Sequence, residues 1–198
     1  VGTTALRQNE GGSFNTAVGY GASINLVDSS CNVAVGYSSL AGLGLWASGN
    51  VAVGYEALRD VSGASGAVAI GNKALRAGGN HAIPGVAGNN VAVGNRALEE
   101  LGDLDGSGGN VALGGCALCQ SISGGWNTAL GNGALYNNTG GNYNVGVGAH
   151  ALYSLVSGSN NTALGRWAGR GMSTGNFDGL LILNATGNDF PTGLSTDV

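Results

Sequence analysis

Residues 50–58 read NVAVGYEAL, and nearly the same nine residues return as NVAVGYSSL at 32–40, NVAVGNRAL at 90–98 and NTALGNGAL at 127–135. Within NVAVG the residues alternate, so Val51 and Val53 share one face of an extended segment and Ala52 takes the other. The β-branched residues suit a strand, and the flanking Asn and Gly suit turns. No stretch carries the spacing of an amphipathic helix. The repeated words predict short strands separated by turns.

The Gly closing each word falls at Gly2, Gly19, Gly36, Gly54, Gly71, Gly94, Gly114, Gly131, Gly148 and Gly165. The intervals are 17, 17, 18, 17, 23, 20, 17, 17 and 17 residues, one period with two insertions. Four residues before the Gly stands Asn: Asn15, Asn32, Asn50, Asn90, Asn110, Asn127, Asn144 and Asn161, with Ala67 the internal exception. Two before it stands Ala: Ala17, Ala34, Ala52, Ala69, Ala92, Ala112, Ala129 and Ala163, with Gly146 once. This is an all-β repeat solenoid, about ten coils of ~17 residues stacked at ~4.8 Å into a rod on the order of 50 Å long. Residues 1–175 form the shaft and 176–198 an irregular segment leading to a following module. Residues 77–89 and 100–109 are expected to protrude as loops between continuous coils.

Composition supports a packed repeat. Gly occupies 40 of 198 positions and charged residues only 9%, but two prolines and no Gly at every third position exclude collagen. The recurring Val, Ile and Leu argue against disorder. A formal charge of −4 with seven Lys and Arg offers no basic stripe for nucleic acid. No apolar run in this sequence reaches membrane-span length, and none of it reads as a signal peptide. The chain opens mid-repeat at VGTTALR, which reads as a piece of a longer polypeptide.

Ala opposite Val or Leu implies crowding on both faces of the strand. One face fills the thin coil interior; the other needs a second surface, most simply two further copies of the chain around the long axis, covering the Ala faces. The Asn column has two structural readings: an amide ladder between coils, or tolerance of the turn entering the strand. The columns two and five residues past the Gly are variable and expected to face solvent, pairing Glu56 with Lys73 and Arg76 with Glu99. Tyr20, Tyr37 and Tyr55 form a packing ladder directly after the Gly. Toward the C-terminal end, Tyr136, His150, Tyr153 and Trp167 gather into an aromatic strip with Arg170 at its edge. Flat aromatic surface beside hydrogen-bonding groups is what sugar rings stack against, so the strip is a candidate for glycan contact; mutual shielding of adjacent coils is the structural alternative.

The words NTAVGYGA, NVAVGYEAL and NTALGNGAL resemble two related groups over residues 1 to about 175. One is the YadA-like left-handed parallel β-roll head of trimeric autotransporter adhesins, to which GAVAIGNKAL at 66–75 is similar. The other is the shaft repeat of phage and virus tail fibres. The period of 17 exceeds the coil of the adhesin heads, and no neck or coiled-coil stalk pattern is present, which ranks a viral fibre ahead of a bacterial surface adhesin. The resemblance implies a homotrimer, non-enzymatic and extracellular or on a virion. It would attach to a cell-surface glycan or protein receptor, with no cofactor, no nucleic acid and no membrane insertion.

Other chemistries find less support. A hexapeptide-repeat acyltransferase needs three hexads per coil where one fits, although His81 sits in the longer insertion as a catalytic His would. Among the acids only EELGDLD at 99–105 clusters, where Asp103 and Asp105 are candidate Ca²⁺ ligands without the calcium nonapeptide pattern. Cys116 and Cys119 form one C-x-x-C, weak evidence for metal or redox chemistry, and Cys31 stands alone. No P-loop or G-x-S-x-G elbow occurs.

Overall fold

The structure is a computed structural model, described for residues 1–42, 47–62, 64–76, 83–84, 88–100, 108–172 and 177–183. The described residues form strands and turns: β1 Thr16–Val18, β2 Val33–Val35, β3 Val51–Val53, β4 Val61–Ser62, β5 Val68–Ile70, β6 Ile83–Pro84, β7 Val91–Val93, β8 Val111–Leu113, β9 Thr128–Leu130, β10 Val145–Val147, β11 Thr162–Leu164 and β12 Leu181–Leu183. Ten of them make one sheet in the order β1-β2-β3-β5-β7-β8-β9-β10-β11-β12. Every pair is parallel and in register, Ala34 on Ala17 and Ala52 on Ala34. Each turn of chain therefore adds one strand, which makes the chain a parallel β-solenoid. At ~4.8 Å per strand the ten rungs span about 43 Å.

The Gly column is what lets the coils approach. Gly36 has a φ of 133°, and a Cβ there would lie 2.3 Å from the Gly54 carbonyl oxygen of the next coil. Any side chain would push the stack apart. Past the Gly the chain turns through the left-handed region at Glu56 (φ 52°) and Leu58 (φ 53°), as it does at Lys73 and Leu75 and at Arg96 and Leu98. That region costs a non-Gly residue about 1–2 kcal/mol. Leu58 is fully buried, which returns about 1.5–3 kcal/mol, and its N–H donates to the Ala74 carbonyl at 2.9 Å. Burial wins. In the coil of Gly165 the Leu position is held by Gly169, where a Cβ would meet Leu152 at 2.7 Å and Ile182 at 2.9 Å.

Each coil closes on a thin interior: Asn50, Ala52, Ala57, Leu58 and Ala64 are all fully buried. The main sheet runs unbroken across both insertions, β5 pairing β7 and β7 pairing β8. The first insertion is not wholly extruded, because β6 within it pairs parallel with β4. The stack also continues past residue 175. β12 pairs β11, although GLLIL has Leu180 where Asn is expected and no closing Gly. Parallel pairing asks only for backbone groups and an inward apolar residue. Leu180 donates to Asn161 Oδ1 at 3.0 Å, and Ile182 is buried.

Candidate functional site

The Asn column is a ladder. Asn32 donates to Asn15 Oδ1 from both its backbone N–H and its Nδ2, at 3.0 and 3.1 Å. Asn50 repeats this on Asn32 at 2.9 and 3.1 Å, Asn127 on Asn110 and Asn161 on Asn144. Asn110 and Asn144 donate their backbone N–H to Asn90 and Asn127. The second Nδ2 proton closes the coil on a carbonyl 14 residues on, from Asn50 to Ala64 at 2.8 Å and from Asn127 to Gly141 at 2.8 Å. One amide thus uses two donors and two acceptor sites in a fully buried place. Asp lacks the donors. At Ala67 the backbone N–H still reaches Asn50 Oδ1 at 2.9 Å, but the methyl carries nothing onward.

A second ladder lies two residues before the Asn. Ser13 donates its N–H to Ser30 Oγ at 3.0 Å, Ser30 to Ser48 Oγ, Gly125 to Asn142 Oδ1, Asn142 to Ser159 Oγ and Ser159 to Asp178 Oδ1. The sequence reading passes these Gly- and Ser-rich stretches as spacers. The signal was there: an oxygen-bearing side chain recurs at that column.

The Ala column faces inward. Ala34, Ala52, Ala69, Ala92, Ala112, Ala129 and Ala163 have no exposed surface and Ala17 has 5%. The expectation that neighbouring chains cover these faces is corrected: the chain's own Leu and Asn already do. What stays open is the opposite face. Val18, Ile70, Leu113 and Leu164 keep between 39% and 51% of their surface, and Val51, Val53, Val91, Val93, Val145 and Val147 are half-buried. Both outward positions of all ten rungs are Val, Ile, Leu or Thr, with no charge. Beside them Tyr20, Tyr37 and Tyr55 stack, centroids 5.5 and 5.2 Å apart and planes within 10°.

Charge lies beyond that tyrosine column, on the turn past the Gly. Glu56 pairs with Arg59 and, at 3.5 Å, with Arg76. Glu99 pairs with Arg96 and, at 3.9 Å, with Arg76. Arg76 therefore meets Glu99 as the columns predict, while the recorded partners of Glu56 are arginines and not Lys73. The solvent-facing expectation fails for these two acids, each only 6% exposed. Hydrogen bonding to Glu99, then its charge, raises the Arg96 pKa, and a hydrogen bond to Glu56 raises that of Tyr55.

The aromatic strip comes together as read from the columns. Tyr136 stacks on Tyr153 at 5.0 Å, His150 tilts against Tyr153 at 5.3 Å and against Trp167 at 5.7 Å, and the Arg170 guanidinium lies 3.8 Å over the indole. Tyr136 and Tyr153 stack with planes 15° apart, His150 lies tilted by 47° and 59° to its two neighbours, and Trp167 turns a face to Arg170, so each ring is in contact with an adjacent coil or with Arg170. Two buried nitrogens here, His150 Nδ1 and Trp167 Nε1, have no hydrogen-bond partner. Below the strip, Cys119 is buried and donates its thiol to the Arg96 carbonyl at 3.2 Å. Burial, then a hydrogen bond to Cys116, pushes that thiol far up. All three cysteines are free, with Cys31 exposed.

His81, Asp103 and Asp105 lie outside the described residues. Among the described residues no group of three metal-ligating side chains assembles, and no helix is long and apolar enough to cross a membrane. Fold and ladders define a parallel β-solenoid repeat protein. Set against protein families, curated proteins and solved structures, the chain matches none.

Proposed function

We propose that this chain is a structural shaft segment of a homotrimeric fibre, of the left-handed roll type that its repeat words resemble, and that it serves host attachment as part of a viral tail fibre. The carrying observation is the uncharged aliphatic face running the full length of the sheet. Contiguous exposed apolar surface of this extent marks an interaction site. Three copies about the long axis would cover it and leave the ion pairs of Glu56 and Glu99 outside. The ladders supply the stiffness that a shaft requires, since amides and glycine contacts tie every coil to the next. The receptor would be a cell-surface glycan or protein, met on the outward turns or beyond this segment.

Sedimentation equilibrium tests the assembly. One chain has a mass of 19.3 kDa, so a trimer runs at about 58 kDa, three times that value. A monomer at micromolar concentration overturns the reading. Labelled trimer retained on cells of a candidate host supports attachment, and loss of retention on stripping surface glycans identifies the receptor class.

A further inference from the structure

The columns two and five residues past the closing Gly bring their side chains together. Glu56 reaches Arg59, Arg96 reaches Glu99, and the His150 ring lies 5.3 Å from that of Tyr153. In the coil of Gly114 the same two positions hold Cys116 and Cys119, and their thiols are in hydrogen-bonding contact. The backbone fixes this turn from both sides. Cys116 donates its N–H to the Asn95 carbonyl at 2.9 Å, the Cys119 carbonyl accepts from Glu100 at 3.0 Å, and Leu118 between them donates to Ala134 at 3.0 Å. The two cysteines are thus held beside each other before any bond forms. They are also unequal. Cys119 is 1% exposed and donates its thiol to the Arg96 carbonyl, whereas Cys116 is half-buried. A reagent in solution meets Cys116 first.

We propose that Cys116 and Cys119 are a site of reversible disulfide formation, in which Cys116 takes the first bond from a small-molecule disulfide and Cys119 closes the ring. The Cys116 thiolate attacks one sulfur of the reagent R–S–S–R, forming the mixed disulfide Cys116–S–S–R and releasing one R–S⁻, which takes up the proton that Cys116 gave up. Cys119, once deprotonated, attacks the Cys116 sulfur and expels the second R–S⁻, which is protonated in turn. The two cysteines together lose two electrons, and the S–S bond of the reagent is reduced to two thiols. Burial, and next the hydrogen bond to Cys116, disfavours the Cys119 thiolate, so the second step is the slow one. The product carries no charge and no such cost. Closure gives up only the S–H bond to Arg96, and a thiol is a weak donor. An oxidising extracellular setting closes such a pair and a reducing one opens it. The site needs a single chain and stands whether or not three chains assemble.

The test uses the full chain carrying Cys31→Ser, so that every change in mass reports on the pair. The folded chain is incubated with excess hydroxyethyl disulfide at a pH of about 8.5, near the ordinary thiol pKa, then quenched in acid and weighed by mass spectrometry. The expected product is lighter by two hydrogens, carries no adduct and regains its starting mass with dithiothreitol. Peptide mapping should place the bond between residues 116 and 119. Adding Cys119→Ala should leave one adduct trapped on Cys116, and adding Cys116→Ser should leave the chain unmodified over the same time. A Cys31→Ser chain that stops at the Cys116 adduct, links to a second chain through Cys116, fails to react, or closes only in urea overturns the proposal. Rapid adduct formation on Cys119 in the Cys116→Ser variant overturns the order of attack. The mapping needs no substitution at either cysteine, so it decides the pairing even where a variant fails to fold.

Discussion

Replacing Asn127 by Ala removes one rung of the amide ladder, and the consequence can be counted. The Asn144 N–H loses its acceptor, Asn127 Oδ1 at 2.9 Å. A buried donor left unsatisfied costs about 1–3 kcal/mol. Two further bonds vanish, Nδ2 to Asn110 Oδ1 at 3.2 Å and Nδ2 to the Gly141 carbonyl at 2.8 Å, each worth about 0.5–1.5 kcal/mol. The Gly141 carbonyl keeps Asn138 Nδ2 at 2.9 Å, so it is not orphaned. The total is a loss between about 2 and 6 kcal/mol. Because coils touch only their neighbours, the damage should be local, with amide exchange quickening first around residues 128 and 145. The assay is urea unfolding with native-state hydrogen exchange. Thr139→Ala, which removes an exposed bond to the Val156 carbonyl, should change stability by less than about 0.5 kcal/mol. If Asn127→Ala behaves like Thr139→Ala, the ladder is ornament and the reasoning fails.

The aspartate at the same place adds a pH signature. Buried and facing carbonyl oxygens, its carboxyl pKa would rise above the ordinary ~3.9. Its folded state therefore prefers the proton. Relative to the parent chain, Asn127→Asp should be least destabilised below that unfolded value and lose ground as pH climbs toward the folded value. A variant that instead gains stability between pH 4 and 7 would contradict this sign.

Val93→Glu sets a charge on the half-exposed aliphatic face, so the monomer should fold with an unchanged far-ultraviolet spectrum while sedimentation falls from three chains to one. Ala52→Leu overpacks the coil interior, and it should cost about 1–3 kcal/mol in the isolated chain; unchanged stability would return the Ala column to the surface. With an alkylating reagent at neutral pH, exposed Cys31 should react quickly and buried Cys119, its thiol held protonated by burial, slowly. Equal rates would refute the placement of Cys119.

Much of the coil was legible in the sequence because each position does one job ten times. The Gly column announced itself by period alone, and the structure adds why it tolerates nothing else. The Asn column left ladder and turn readings open, and the paired distances to Asn15 and Asn32 decide for the ladder. The aromatic strip followed from one-coil spacing, but spacing cannot say which way a ring turns. Tyr136 and Tyr153 spend their faces on each other. The rung at Leu181–Leu183 carries no repeat word, and parallel backbone pairing on Thr162–Leu164 needs none.

The side of the strand that faces in was the deeper ambiguity. Alternation assigns Val51 and Val53 to one face and Ala52 to the other, yet both faces are apolar, so hydrophobicity cannot choose between them. The turn chooses. Two left-handed residues, Glu56 and Leu58, bend the chain so that the Leu58 side chain enters the coil, and a coil this thin has room opposite it for a methyl group and no more. Gly146 makes the same point from the other side, since a Cβ there would lie 3.3 Å from Leu135 Cγ and from the Ala151 carbonyl oxygen. Small residues therefore mark the interior, and the larger Val, Ile and Leu are left outside. An aliphatic stripe kept outside through ten rungs is surface that one chain cannot bury by itself.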